Sequence, residues 1–434
     1  MLQKREILFR KGVLFAVGII LAMNLAGCGN FMEKGSRDAG ERKEEHLGNK
    51  FADNPQNADE PIMKRTGSEE KEAEEIIGIC GETYAKAAKE DKLDDLEMLR
   101  GLVNMLGEKG YTAIDNENQL NMAQHEKLLR FCEAAEAKES GRITVAEVTR
   151  EGECTIRNME THDGNVNMIR SYYVFEKGEL KLSSEDIYRA ESWEYTEDGY
   201  LMFSGWLAFE GSYEVTRKQM MEYTAYRVLP LDETCRELNR KYLLPVSYEC
   251  NNMFLADWSE EDFGELDFYD VFNIFYSENQ RGDEEFASEY AMGTSAVYLI
   301  PKERFERVIM SKFKISSEIL QSKTVYYPKE EVYEYKPRGF EEIEYPEYPY
   351  PEVVGYEENG DGTRTLKVNA VFPYRGMSKA YTHEVTVRDT EGGGVQYVAN
   401  RVLEPLKDPD IKWHTPRLTR EEWEERYAAG KEGQ

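Results

Sequence analysis

Apolar residues recur every three to four positions after residue 66, which is the period of an amphipathic helix. The capping-box spacing Thr66-Gly67-Ser68-Glu69 predicts where the first helix begins. A second helix is predicted from Asp91 and a third from near Asn121. Their inward faces and the strands that follow are expected to share one core: Ile76, Leu96, Leu99, Leu128, Ile156 and Phe175.

The period changes from 3.6 to 2 near residue 142, and X-Gly pairs then recur between aromatic and β-branched runs. Such pairs are strong hairpin signals. Residues 142–210 are therefore predicted to form an antiparallel meander on which the three helices pack. Helices and meander together make a first α+β module over residues 67–230.

A second module is predicted over residues 231–408. Asp232 begins a short helix, and a capping box at Ser259–Asp262 predicts a buried aromatic helix over residues 260–277. Strict alternation after residue 362 predicts a C-terminal antiparallel sheet. The fold class is thus α+β, two modules of helices packed on antiparallel sheets, followed by a polar tail at 409–434. The second core is expected to contain Phe272, Phe305, Phe313, Leu366, Val368 and Val385.

The first 28 residues read as an export signal, since a basic start is followed by a short apolar run and then Leu25-Ala-Gly-Cys28. The arrangement resembles a bacterial lipobox, which implies a signal peptide at 1–27 and acylation of Cys28. An uncleaved anchor is the alternative, although the apolar run is shorter than the ~20 residues of a membrane span. Residues 28–66 are polar and charged, which predicts a lipidated, disordered tether. The expected location is the extracytoplasmic face of the cell membrane.

Charge narrows the possible partners. The whole chain carries a net charge of −29, and removing four basic residues and Glu6 with the export segment leaves −32. A surface this acidic repels nucleic-acid phosphates, so no nucleic-acid partner is expected. Beyond the membrane itself, reached through the anchor at Cys28, the expected partner is a protein or a cell-wall component. The acidic charge fits a cationic partner or simply serves solubility.

Residues that could carry chemistry are sparse. Motifs for a nucleophilic serine, a zinc protease, a P-loop or a dinucleotide site do not occur, so no catalytic, cofactor-binding or metal-binding residue is predicted. His383 is interpreted as a hydrogen-bonded core residue. Five cysteines follow Cys28, an odd number whose pairing the sequence leaves open, and burial as thiols is favoured: Cys80, Cys132, Cys154, Cys235 and Cys250.

Three long segments carry a family resemblance: CRELNRKYLLPVSYECNNMFLADWSEEDFGELDFYDVF, RFERVIMSKFKISSEILQSKTVYY and YPYPEVVGYEENGDGTRTLKVNAVFPY. They resemble a family of uncharacterised Gram-positive bacterial lipoproteins over nearly all of the mature chain. The Val246-Ser247 pair departs from the Ile-Gly expected there, which affects only a local turn. The resemblance implies no assigned activity and no site residues.

Two functions follow as hypotheses. One is a membrane-anchored, extracytoplasmic binding or assembly module without enzymatic activity. The alternative is an extracytoplasmic hydrolase that uses a pair of carboxylates. A carboxylate pair facing a cleft would favour the hydrolase, whereas a broad aromatic patch would favour the binding module.

Overall fold

The computed structural model describes residues 63–207, 220–279, 298–336, 338, 347–404, 414–419, 421–422 and 425. These residues belong to one compact unit that spans Glu60–Gln434. The predicted signal peptide, Cys28, and most of the predicted tether and tail lie outside the described residues.

Helices and strands alternate in an α+β arrangement, as predicted. The α-helices are α1 Gly67–Glu90, α2 Leu96–Glu108, α3 His125–Glu136, α4 Glu233–Leu238, α5 Phe268–Asn279, α6 Lys302–Lys312 and α7 Ser317–Ser322. A π-helical turn, Asn239–Leu243, continues α4, and a 3₁₀ turn spans Pro373–Arg375. The strands are β1 Thr112–Asp115, β2 Gly141–Val148, β3 Glu153–His162, β4 Asn165–Glu176, β5 Glu179–Arg189, β6 Ser192–Tyr195, β7 Tyr200–Leu207, β8 Met220–Arg227, β9 Trp258–Ser259, β10 Tyr298–Pro301, β11 Tyr326–Tyr327, β12 Val332–Tyr335, β13 Tyr350–Glu358, β14 Arg364–Val371, β15 Thr382–Asp389 and β16 Val395–Glu404.

The first half is built on a five-stranded sheet in the order β1-β2-β3-β4-β5, in which only the β1–β2 pair is parallel. Side chains alternate between the two faces of this sheet. One face packs against α1 and α2, and the other packs against α3 and the three-stranded sheet β6-β7-β8. The predicted single meander is therefore two sheets, and the core of this half lies in two layers.

The second half has one large core, drawn from residues between Leu231 and Tyr397. Its five-stranded sheet has the order β13-β14-β15-β16-β9, and a small sheet has the order β10-β12-β11. The largest clusters of buried apolar side chains thus lie on either side of residue 230. A smaller cluster of Tyr200, Met202 and Val371 joins the halves. The two-module boundary stays a prediction.

Most of the predicted core positions are buried where they were expected. All six predicted members of the second core lie in its buried cluster. In the first half, Ile76, Leu99 and Ile156 are buried together, with Leu96 and Phe175 packed against them. Leu128 was wrongly placed with these residues: it packs on the opposite face of the sheet, because α3 lies there.

Three predicted helix starts are wrong in position. Asp91 ends α1 in the left-handed conformation, and α2 begins at Leu96, where the Asp95 side chain accepts a hydrogen bond from the Glu97 amide. The third helix begins at His125 rather than near Asn121. Residues 260–267 are not helical, since Gly264 has a φ of +47° and the Asp267 side chain accepts from the amides of Tyr269 and Asp270, where α5 begins.

Candidate functional site

Arg157 is the most deeply buried cation of the first half, and it lies between the two sheets. Its guanidinium donates to Glu147 at 2.8 Å, to Glu222 at 2.5 Å and to the Tyr226 hydroxyl. Although burial alone would raise the pKa of Glu222, the charges of Arg157 and Arg170 hold it below its usual range. The two carboxylates share one cation, so they act as structural ion pairs rather than as an acid and a base.

A second buried cluster forms around Asp270 on α5. Arg338 and Arg417 each donate to its carboxylate at 2.6 Å. Burial opposes ionisation, but hydrogen bonds from His414 and Arg338 hold the pKa of Asp270 below its usual value. Residues 414–419, the described part of the predicted polar tail that contains His414 and Arg417, are thereby fastened to the second half.

A third polar cluster joins the two halves, and we call it the junction cluster: Tyr200, Arg227 and Asn118 from the first half with Tyr350 and Glu352 of β13. The Tyr200 hydroxyl donates to Glu352 at 2.7 Å, and the Arg227 guanidinium donates to the same carboxylate at 3.1 Å. The Asn118 side chain donates to the Tyr350 hydroxyl at 3.2 Å. Burial raises the pKa of Glu352 even though Arg227 opposes the shift.

A cavity of about 10 Å³ borders this junction, lined in part by Asn118, Arg236, Asn239 and Glu352. That volume is on the order of one water molecule. The Oδ1 atom of Asn239 is buried there without a hydrogen-bond partner among the described residues. A cavity of this size suits a structural water and is too small for an organic substrate.

His383 is completely buried, in line with its interpretation as a core histidine. Its Nδ1 atom donates to Asn400 Oδ1 at 2.7 Å, and Nε2 accepts from the Tyr248 hydroxyl at 2.9 Å. Burial lowers the pKa of His383 to about 4, so the ring is neutral at pH 7. Its polar atoms are occupied within the core, where they hold β15 against β16.

Cys80, Cys132, Cys154 and Cys235 are thiols that form no disulfide in the described part of the chain. These four are buried, and Cys250 is half-buried. The thiol of Cys154 hydrogen-bonds to Cys80 between β3 and α1, and this contact together with burial raises the pKa of Cys154. A buried thiol with a raised pKa is a poor nucleophile, so Cys132, Cys154 and Cys235 act as small core residues.

Within the described part of the chain, no group of three or more His, Cys, Asp or Glu side chains is arranged to hold a metal ion. The same residues include no helix long and apolar enough to cross a membrane. Cys28, the only site residue predicted from sequence, lies outside them.

An exposed aromatic patch lies where the sheet β6-β7-β8 meets the second half. Tyr223 on β8 is directly opposite Ser204 on β7, and Trp206 lies two residues further along β7. Side chains two apart on a strand share a face, so Trp206 and Tyr223 point to the same side of the sheet. The Tyr223 ring packs against Tyr374 of the 3₁₀ turn, with ring centroids 4.6 Å apart.

We call this patch, made of Trp206, Met221, Tyr223, Tyr374 and Arg375, the aromatic surface. Trp206 is 44% exposed and Tyr374 is 36% exposed. The Arg375 guanidinium lies over the Tyr374 ring, 5.5 Å from its centroid. Exposed Trp, Tyr and Arg are the residue types that dominate binding energy at interfaces.

Sequence reasoning missed this surface. Trp206 lies in a strand whose other seven residues are buried, so the local pattern suggests a core tryptophan. Tyr374 comes from a turn in the other half of the chain. The one usable signal is the alternation along β7, which places Trp206 on the face opposite Phe203 and Leu207.

A family model described as a family of unknown function (DUF6070) matches residues 66–417. No curated protein and no solved structure matches the chain. The matched range covers both halves of the fold, including the junction cluster and the aromatic surface.

Proposed function

The chain belongs to this family of unknown function, DUF6070, and we propose that it is a binding or assembly module held at the outer face of the cell membrane by a lipid on Cys28. The proposal joins the export signal, which ends at Cys28, with the aromatic surface. The intervening polar residues act as a tether that lets the body reach a partner.

The exposed aromatic surface carries this proposal. A tryptophan that exposes nearly half of its surface loses hydrophobic stabilisation unless a partner covers it. Trp206 shares a face of the sheet with the half-buried Tyr223, whose ring packs on the exposed Tyr374 from the other half of the fold. The junction cluster holds those halves in a fixed relation, so the surface is presented as one preformed face.

The buried carboxylates favour the binding module over the hydrolase. Glu147 and Glu222 bind Arg157, Glu352 binds Arg227, and Asp270 binds Arg338 and Arg417. A catalytic carboxylate pair needs room for a sugar or peptide between its members. In this structure the guanidinium group of an arginine occupies the space beside each of these carboxylates.

The test is retention of the full chain on isolated cell-wall fragments and on extracytoplasmic protein fractions, with substrate turnover assayed in parallel. We expect Trp206→Ala and Tyr374→Ala to lose retention while keeping the unfolding curve of the wild type. The matched control is Leu299→Ala, because Leu299 is a 59% exposed apolar residue elsewhere on the surface.

Equal retention of the wild type and the Trp206→Ala variant would remove the aromatic surface from the proposal. Catalytic turnover that a single Asp or Glu substitution abolishes, with folding intact, would overturn the binding module in favour of the hydrolase.

A further inference from the structure

The charges beside the aromatic surface indicate what kind of partner it binds. Among the described strands, β6 pairs only with β7 and so forms an edge of that sheet, and residues 190–207 contain four acidic and no basic side chains. Three of the acids are exposed and together form what we call the acidic edge of β6: Glu194 on the strand itself, Glu191 immediately before it and Glu197 in the turn after it. None of the three forms an ion pair with another described residue.

The strand register places this acidic edge beside the rings. Glu194 is opposite Met202, and Ser192 is opposite Ser204, which in turn is opposite Tyr223. Glu194 therefore points to the same side of the sheet as Tyr223 and Trp206. Neighbouring strands are about 4.8 Å apart, so the carboxylate is two strands, or about 10 Å, from the strand that carries Tyr223.

Exposed rings bordered by unpaired carboxylates match a cationic ligand. A lysine or arginine side chain can place its charge over an indole or phenol ring, and tryptophan gives the strongest such contact. Its neighbours along an extended chain, spaced about 3.3 Å per residue, can then reach the carboxylate of Glu194 on β6. The chain's overall charge of −29 attracts the same ligand over longer distances.

On the basis of the proposed function, we infer that its partner is a lysine- or arginine-rich segment of another protein, which the aromatic surface and the acidic edge of β6 bind together. The rings provide the affinity and the position, and the carboxylates of Glu191, Glu194 and Glu197 select for positive charge. The Arg375 guanidinium lies over the Tyr374 ring, whereas the Trp206 side chain is 44% exposed and can accept the ligand's cation.

The experiment measures the dissociation constants of oligolysine, oligoglutamate and a neutral cell-wall oligosaccharide for the full chain. Because any polycation is drawn to an acidic protein, two triple variants of equal net charge are compared. One carries Glu191→Gln, Glu194→Gln and Glu197→Gln. The control carries three substitutions of exposed acids elsewhere: Glu139→Gln, Glu357→Gln and Glu391→Gln.

We expect oligolysine to bind with an affinity that falls as salt rises, and oligoglutamate not to bind. The β6 variant and Trp206→Ala should each weaken oligolysine binding by about tenfold or more, and the control variant much less. Equal weakening by both triple variants, or binding of oligolysine that Trp206→Ala leaves unchanged, would overturn the inference. Tighter binding of the oligosaccharide than of oligolysine, lost in Trp206→Ala, would overturn the cationic partner and leave the proposed function standing.

Discussion

Neutralising Arg227 should destabilise the fold strongly, because its partner Glu352 is buried on the other side of the junction. The side chains of Arg227 and Glu352 are 9% and 8% exposed, and their charged atoms are 3.1 Å apart. In Arg227→Met the stem of the side chain is retained but the carboxylate loses its cation. Breaking a buried ion pair from one side costs about 3–5 kcal/mol, and we expect a loss in that range.

The loss of stability caused by Arg227→Met should depend on whether the Glu352 carboxylate is present. Glu352→Gln removes the charge while keeping an acceptor for the Tyr200 hydroxyl, so the variant that combines it with Arg227→Met no longer contains the buried carboxylate that Arg227 had paired. A double-mutant cycle should give a coupling energy of about 1–3 kcal/mol. Urea unfolding at neutral pH measures all four stabilities. Arg401→Met is the surface control: its ion pair with Glu384 is largely exposed and is worth at most about 1 kcal/mol.

The pH dependence provides an independent check. Burial already raises the pKa of Glu352, and removing Arg227 should raise it further. The folded variant then takes up a proton more readily than the unfolded chain does, so its deficit relative to the wild type should shrink as the pH falls. The account of the junction would be refuted if the stability losses of Arg227→Met and Glu352→Gln add within about 0.5 kcal/mol in the double variant. It would also be refuted if the stability difference between Arg227→Met and the wild type does not change with pH.

Four further predictions concern the core, the tail and the anchor. The pKa of His383 is lowered from 6.5 to about 4, so the unfolded chain takes up the proton at a higher pH than the folded chain does. The free energy of unfolding should therefore fall by about 3 kcal/mol as the pH drops from 6.5 to about 4. His383→Gln should remove this dependence of stability on pH, as measured by urea unfolding. Asp270→Asn removes the carboxylate that Arg338 and Arg417 share, although Asp267 still pairs with Arg417; the change should cost about 3–5 kcal/mol and expose residues 414–419 to limited proteolysis. Leu99→Ala and Phe272→Ala should each lower the free energy of unfolding by about 2–5 kcal/mol, because both side chains are buried. Two calorimetric transitions, each shifted by only one of these variants, would support two modules. A single transition shifted equally by both would count against them. Cys28→Ala should abolish acylation and release the protein from membranes; a variant that stays membrane-bound and normally processed would contradict the anchor.

Local signals were sufficient for much of the fold. The capping box at Thr66 forms as predicted, with the Glu69 amide donating to the Thr66 hydroxyl. The alternation of Leu366, Val368 and Ala370 predicts one buried face of β14, and all three are buried. These features depend on neighbours in sequence, which is why the sequence alone can predict them.

The errors occur where a local signal had two possible outcomes. Asp91 and Asp95 can each begin a helix, and the chain uses the first as a left-handed end of α1 and the second as the cap of α2. Ser259 has the spacing of a helix cap, but it lies in strand β9 and pairs with Ala399 of β16. Tertiary pairing overrides local preference in that segment.

The junction cluster and the aromatic surface could not be predicted, since both depend on residues far apart in the chain. Tyr200 and Glu352 are separated by 152 positions. Tyr223 meets Tyr374 only because the 3₁₀ turn packs on β8. No spacing rule connects such positions, so the binding surface is visible only in the folded chain.

Site-specific photo-crosslinking in living cells tests the central claim most directly, namely that the aromatic surface is where a partner binds. A photo-crosslinking amino acid replaces Met221, which is opposite Trp206 in the β7–β8 pair, so that Trp206 itself is kept. In a matched strain it replaces Leu299 on another exposed part of the protein. The account predicts a discrete adduct with one protein from position 221, which the three Glu→Gln substitutions at 191, 194 and 197 suppress, and no such adduct from position 299. The absence of an adduct at position 221, or the same adducts from both positions, would contradict it.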